Sequence, residues 1–213
     1  LANDLIDNPD LLAKLDESPE LVDSWRVLKE SNLGNDIAKD VTAVTKARRY
    51  MDYGLVIESG GVVKQADGTV IGRLDNKDVY NPGELKVVGE HSGRHFDPDD
   101  AGGAIQKLDW RNATISNNGI NDVEKHLSRF PDSPENRGMI ERLKKIERGE
   151  MEATDYDKRF YTHELTEYQR YKNKGIPDGE DPSGVWDNTH TASLEDYQID
   201  ERVTSIYHPS VEQ

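Results

Sequence analysis

Apolar residues recur along the chain at two spacings, and the change from one to the other divides it. In the first fifty residues the spacing is helical. Asn8-Pro9 and Ser18-Pro19 each set a capping residue before a proline suited to the first helical position, with an acid following in the first turn (Asp10, Glu20). A helix over about 19–31 puts Leu21, Trp25 and Leu28 on one face, so Trp25 reads as core. A third helix over about 36–51 does the same with Ile37, Val41, Val44 and Ala47. From Tyr53 the spacing becomes that of strands. Residues 62–74 (VVKQADGTVIGRL) are two β-prone runs joined by Asp67-Gly68, a strong local hairpin signal. Further strands are predicted at 85–88 and 109–116, with the Gly-, Asp- and Pro-rich stretch 89–103 as loop between them. Helical spacing returns over about 120–129, 135–148 and 161–173, where Met139, Ile140, Leu143 and Ile146 form one stripe of the second helix. A short helix is expected near 193–197, before a tail holding Ile206-Tyr207-His208-Pro209. The predicted class is α+β: an N-terminal helical segment, a central antiparallel sheet over about 54–116, and C-terminal helices packed on the sheet. Residues 1–52 read as a helical connector or docking segment and 53–213 as the domain that carries the chemistry.

Composition narrows this picture. Only 34% of residues are hydrophobic and 32% are charged, which is thin for a single core and predicts a solvated extension or a surface that another protein covers. No apolar run approaches the ~18 residues of a membrane span. The absence of cysteine excludes a disulfide framework, a thiolate metal site, an iron–sulfur cluster and a cysteine nucleophile, so any metal would be held by His, Asp and Glu. The chain opens on Leu1 with no signal segment and reads as a piece cut from a larger precursor.

The net charge of −15 is unevenly spread. Residues 1–40 hold 10 acids and 4 bases, residues 41–150 hold 18 and 17, and residues 151–213 hold 14 and 6. Between Lys125 and Arg148 the balance reverses, with seven bases against four acids. Such a strip is either the solvated face of an amphipathic helix or a phosphate-contacting surface. Salt screens the overall repulsion of a polyanion beyond about 8–10 Å, so a local phosphate site is compatible with the acidity.

All six histidines lie after residue 90, which moves candidate chemistry away from the N-terminal helices. Three clusters result. His91, Arg94 and His95 share a glycine-containing loop with Asp97, Asp99 and Asp100; they combine a neutral-pH acid or base with a phosphate clamp, or form a solvated loop. His126 stands on a predicted helix between Lys125 and Arg129, either as a structural imidazole or as a proton donor beside phosphate-binding cations. His163 and Glu167 stand at i and i+4 and share one helical face, with Glu164 beside His163 and Trp186 and His190 following. Position 167 is Glu where a zincin HExxH motif has its second His, yet His163, Glu167 and His190 are a reasonable zinc ligand set, and a His–Glu packing network is the competing reading.

The runs FYTHELTEYQRYKNKGIP, WDNTHTASLEDY and IYHP, with DVEKHLSRF and MIERLKKIERGE upstream, resemble the C-terminal effector domains of bacterial polymorphic toxins of the Rhs, contact-dependent inhibition and LXG types. The shared positions are His163-Glu164-Leu165-x-Glu167, Gly175, His190 and Tyr207-His208-Pro209; this chain has Thr189 where the pattern has Ala, and an added spacer over 178–184. LLAKLDESPELVDSWRVLKES is similar to the helical connector that precedes such effectors. The resemblance implies a domain released from a secreted precursor, delivered into the cytoplasm of a neighbouring cell and neutralised at home by a cognate immunity protein.

Three functions follow as expectations. The first is a nuclease, RNA favoured over DNA, with His126 and His163 moving protons, Glu164, Glu167 and His190 supporting them, and His91, Arg94, His95, Lys125 and Arg129 holding the polyanion; it needs no cofactor. The second is a metal-dependent hydrolase, nuclease or peptidase, with His163, Glu167 and His190 as ligands of a divalent metal and Glu164 as base. The third is a non-catalytic module whose acidic ends bind a basic partner.

Overall fold

The computed structural model describes residues 8–31, 33, 38, 40–74 and 86–212. Ile37 and Leu85, placed by the pattern at the starts of a helix and a strand, lie outside them. The chain forms two compact units, one of residues 1–90 and 94–99, the other of residues 91–93 and 100–213. The architecture is α+β, with helices at both ends of the chain and an antiparallel sheet between them. Residues 52 and 53 fall inside the first unit, where its last helix gives way to the sheet.

The first unit begins with α1 (Pro9–Glu17), α2 (Leu21–Glu30) and α3 (Val41–Asp52). Asn8 caps α1 as its sequence predicts, its side chain accepting from the Leu11 N–H. Ser18 instead closes α1, and α2 begins three residues later. Among the described residues, five strands follow as an antiparallel meander in sequence order: β1 (Val56–Ile57), β2 (Val62–Lys64), β3 (Val70–Leu74), β4 (Val87–Gly89) and β5 (His95–Phe96). The β2–β3 turn is the one Asp67-Gly68 announces: the Gly68 N–H donates to the Gln65 carbonyl, and Gly68 sits at φ +85°, a conformation open chiefly to glycine. Val63, Ile71, Leu74, Val87 and Phe96 bury one face of the sheet, and Leu11, Leu15, Trp25, Leu28, Val44 and Tyr50 bury the helices. A buried Lys46–Asp97 ion pair and a 3.4 Å contact from the Tyr50 hydroxyl to Asp97 tie α3 to the chain just beyond β5.

Two expectations are corrected here. Residues 89–103 are not all loop, because His95–Phe96 pairs with Val87–Val88 as the edge strand. Residues 109–116 form no strand: the Asp109 carboxylate accepts from the Arg111 N–H, a turn closes from Ala113 N–H to the Trp110 carbonyl, and Trp110 is buried with Leu194, Ile199 and Ile206. Among the described residues the sheet therefore ends at Phe96.

The second unit holds α4 (Asn117–Leu127), α5 (Pro134–Glu147), α6 (Asp155–Asn173) and α7 (Val185–Asp196). Helix α6 packs against the other three. Ile120, Val123, Met139, Ile140, Leu143, Phe160 and Tyr161 form the core that α4, α5 and α6 share. Gly119 lets α4 approach closely, since a Cβ there would lie 1.8 Å from the Tyr161 hydroxyl. Helix α6 starts six residues before its predicted N-terminus because Thr154 and Asp157 form a reciprocal capping box.

Asp157 also takes two hydrogen bonds from Arg142, at 2.7 and 2.9 Å, linking α6 to α5. Burial acts to raise this carboxyl, but Arg142 and Thr154 outweigh it and hold Asp157 below the usual carboxylate range. A depressed folded pKa contributes stability that is present above the unfolded value of about 4 and lost as pH falls through the folded one. Asp157→Asn is thus expected to cost about 3 kcal/mol at neutral pH and to show a shallower loss of stability on acidification than the parent in urea melts across pH. Equal acid dependence of the two proteins would refute this assignment.

Candidate metal centre

Three helices of the second unit bring five polar side chains together. Helix α6 supplies His163, Glu164 and Glu167, brought together because Glu167 lies four residues from His163 and three from Glu164 on an α-helix. Helix α4 supplies His126, on the same buried stripe as Gly119 and Val123. Helix α7 supplies His190. All five are buried, with His126 and His163 at 0% exposure and Glu167 at 1%.

Glu167 is the hub. Its Oε2 lies 3.2 Å from His163 Nε2 and 3.2 Å from His190 Nδ1, and those two nitrogens are 3.0 Å apart. Its Oε1 lies 3.4 Å from His126 Nε2, off the line of a hydrogen bond, and Glu164 Oε2 lies 3.7 Å from the same nitrogen. His190 Nε2 faces Glu201 Oε2 at 3.2 Å, and Trp186 stacks on the His190 ring with centroids 4.6 Å apart. Phe130, Tyr168 and Tyr171 set their rings edge-on around His126.

The electrostatics follow from burial and these contacts. Burial acts to raise Glu167, but the approach of His126, His163 and His190 more than offsets it, leaving the carboxylate well below its usual range. Burial raises Glu164, with the nearby imidazoles only partly opposing it. Burial acts to lower His190, yet Glu167 on one ring nitrogen and Glu201 on the other push it up to about 9. The site therefore holds one firmly anionic carboxylate among imidazoles, and a second whose neutral form burial favours.

Protons do not satisfy this geometry. An imidazole nitrogen carries either one proton or one lone pair, so at most two of the three contacts among His163 Nε2, His190 Nδ1 and Glu167 Oε2 can be hydrogen bonds. Glu167 Oε1, His163 Nδ1 and both nitrogens of His126 are buried with no hydrogen-bond partner. A cation satisfies all three contacts at once. Four ligands about 2.0–2.1 Å from zinc lie about 3.3–3.4 Å from one another in a tetrahedron, close to the 3.0, 3.2 and 3.2 Å seen here. The Glu201 contact at the far nitrogen of His190 has the form that orients metal-bound imidazoles, leaving Nδ1 as the ligand atom.

The remaining sequence candidates stand elsewhere. Arg94 and His95 belong to the first unit. His91 is in the second, where its backbone N–H and that of Ser92 donate to the Glu195 carboxylate. Lys125 turns to Asp122, 2.7 Å away. Arg129 is turned inward, donating to the carbonyls of Pro177 and Glu180 and lying over the Tyr171 ring. The basic strip is largely neutralised: Lys125, Arg129, Arg137, Arg142, Lys144 and Arg148 each face an acid. Glu201, in a turn beyond α7, is a site residue that the sequence pattern does not mark. Among the described residues no helix is long and apolar enough to cross a membrane.

Comparison with protein-family models, with curated proteins and with solved structures returns no match for this chain.

Proposed function

We propose that this protein is a metal-dependent hydrolase, with His163, Glu167 and His190 holding one divalent ion and a water as its fourth ligand. The observation that carries the reading is the triangle of three ligand atoms 3.0–3.2 Å apart, one contact more than protons can serve. Three protein ligands with one position left for water is the ligand count of catalytic zinc, which lowers the pKa of that water toward neutrality and so generates a nucleophile. Glu164, buried beside the ligands and biased toward its neutral form, is a further carboxyl group of the cluster. A metal-free His nuclease fits less well, because the three mutual contacts of His163, His190 and Glu167 exceed what protons can serve and its basic strip is taken up by ion pairs.

Within the setting that the resemblance implies, the hydrolase is the effector of a polymorphic toxin, with a cognate immunity protein as partner and RNA as the first substrate to test. The chain is stripped with a chelator, reloaded with Zn²⁺ or Mn²⁺, and incubated with total RNA, plasmid and a peptide library. Cleavage of one of these that vanishes with chelator and returns with metal is expected. Metal retained without cleavage of any of the three would overturn the hydrolase, and no retained metal would overturn the centre itself.

A further inference from the structure

Resting on that one-ion reading, we infer that the centre is built for two divalent ions, with Glu167 bridging them and His126 and Glu164 completing the second position. The two oxygens of Glu167 face different partners: Oε2 meets His163 and His190, while Oε1 meets His126. Two ligand sets result, His163–Glu167–His190 and His126–Glu164–Glu167, each with its ligand atoms within 4.8 Å of one another and every member buried. A carboxylate that offers one oxygen to each of two sets is placed as a bridge, and two-metal hydrolytic sites hold their ions about 3.5–4 Å apart.

The second set has its own evidence for a ligand. His126 is fully buried, neither of its ring nitrogens has a hydrogen-bond partner, and Nε2 points between Glu164 and Glu167. Glu167 Oε1, on the other side of that gap, is equally unpartnered. Leaving such groups unsatisfied is costly, and the rings of Phe130, Tyr168 and Tyr171 pack edge-on around the His126 ring. A cation between Nε2, Oε1 and Glu164 Oε2 satisfies two of the three unpartnered atoms, His126 Nε2 and Glu167 Oε1. The mixed imidazole and carboxylate donors, without thiolate, suit Zn²⁺, Mn²⁺ or Fe²⁺ rather than Cu⁺.

The test is metal stoichiometry of the full chain, chelator-stripped, reloaded with Zn²⁺ and freed of loose metal before elemental analysis. Two ions per chain are expected for the parent and one for Glu164→Gln, whose far-ultraviolet circular dichroism checks that it folds. One ion in the parent would overturn the bridge while leaving the one-ion hydrolase intact; no ion would overturn both. Two ions retained in folded Glu164→Gln would overturn the assignment of the second position. Electron paramagnetic resonance of the Mn²⁺-loaded parent needs no variant: the spectrum of an exchange-coupled pair is expected, and that of isolated ions would overturn the inference.

Discussion

Glu167→Gln is expected to weaken metal affinity by at least about 100-fold and to remove metal-dependent turnover, leaving the helical fold in place. The size of the effect follows from position. Loss of a group that merely orients a ligand costs about 10–100-fold in affinity, and Glu167 is closer in than that, since its oxygens touch three imidazoles from three helices. Glutamine keeps the volume but removes the negative charge and sets an NH₂ donor in place of one oxygen, which presents hydrogens to any cation. Glu201→Gln provides the graded comparison: Glu201 meets the far nitrogen of His190 rather than the ligand atoms and is 29% exposed, so its loss should fall within about 10–100-fold. Competition against a chromophoric chelator measures both. A Glu167→Gln protein that holds metal as tightly as the parent would remove the basis for any centre here.

The site was legible in the sequence where its residues share one helix. His163 and Glu167 stand at i and i+4, and no tertiary knowledge is needed to put them on one face. His190, 27 residues on, could only be suspected. His126 drew notice for its flanking Lys125 and Arg129, yet neither acts with it: what brings His126 to Glu167 is the packing of Gly119 and Val123 against α6. Glu201 sits in a turn with no periodicity and carried no signal.

The fold shows the same division between local and long-range information. The 62–74 hairpin was readable because a turn is encoded by the residues within it. The two-residue β5 was not, since its pairing is imposed by Val87 and Val88. Residues 109–116 mislead because their β-prone side chains pack without strand partners: Trp110 is buried with Leu194 of α7 and with Ile199 and Ile206 beyond it, and Ile115 is partly buried against the core of α4, α5 and α6. Helix α7 was mostly hidden for another reason: ten of its twelve residues are buried, among them Asn188, Thr189, His190, Thr191, Ser193, Glu195 and Asp196. A helix whose buried face is polar has no hydrophobic stripe to read.

Those buried polar groups make the second large prediction, that Arg170→Met destabilises the protein by about 3–5 kcal/mol. Arg170 on α6 is buried and donates to Asp196 of α7 through Nε at 3.2 Å and Nη2 at 2.6 Å. Its Nη1 reaches the carbonyls of Ala101 and Gly103 at 2.8 Å each, and Nη2 that of Ala104 at 3.3 Å. Asp196 also accepts from the Gln106 N–H at 2.6 Å, so one guanidinium holds both α7 and the 101–106 segment to α6. Methionine matches the stem of arginine but leaves a carboxylate buried without its cation and three carbonyls without a donor. A change of this size is a large part of the 5–15 kcal/mol that usually holds a domain together, and at about 2–4 °C per kcal/mol it lowers Tm by about 10 °C. The double variant Arg170→Met/Asp196→Leu should recover much of the loss, because removing both charges avoids the uncompensated one. Metal affinity should fall in the single variant as well, since Arg170 lies one helical turn beyond Glu167 and its partner helix carries His190. Thermal and urea melts of the parent and both variants decide it, and a single variant within about 1 kcal/mol of the parent would show that α6 and α7 are joined by something other than this pair.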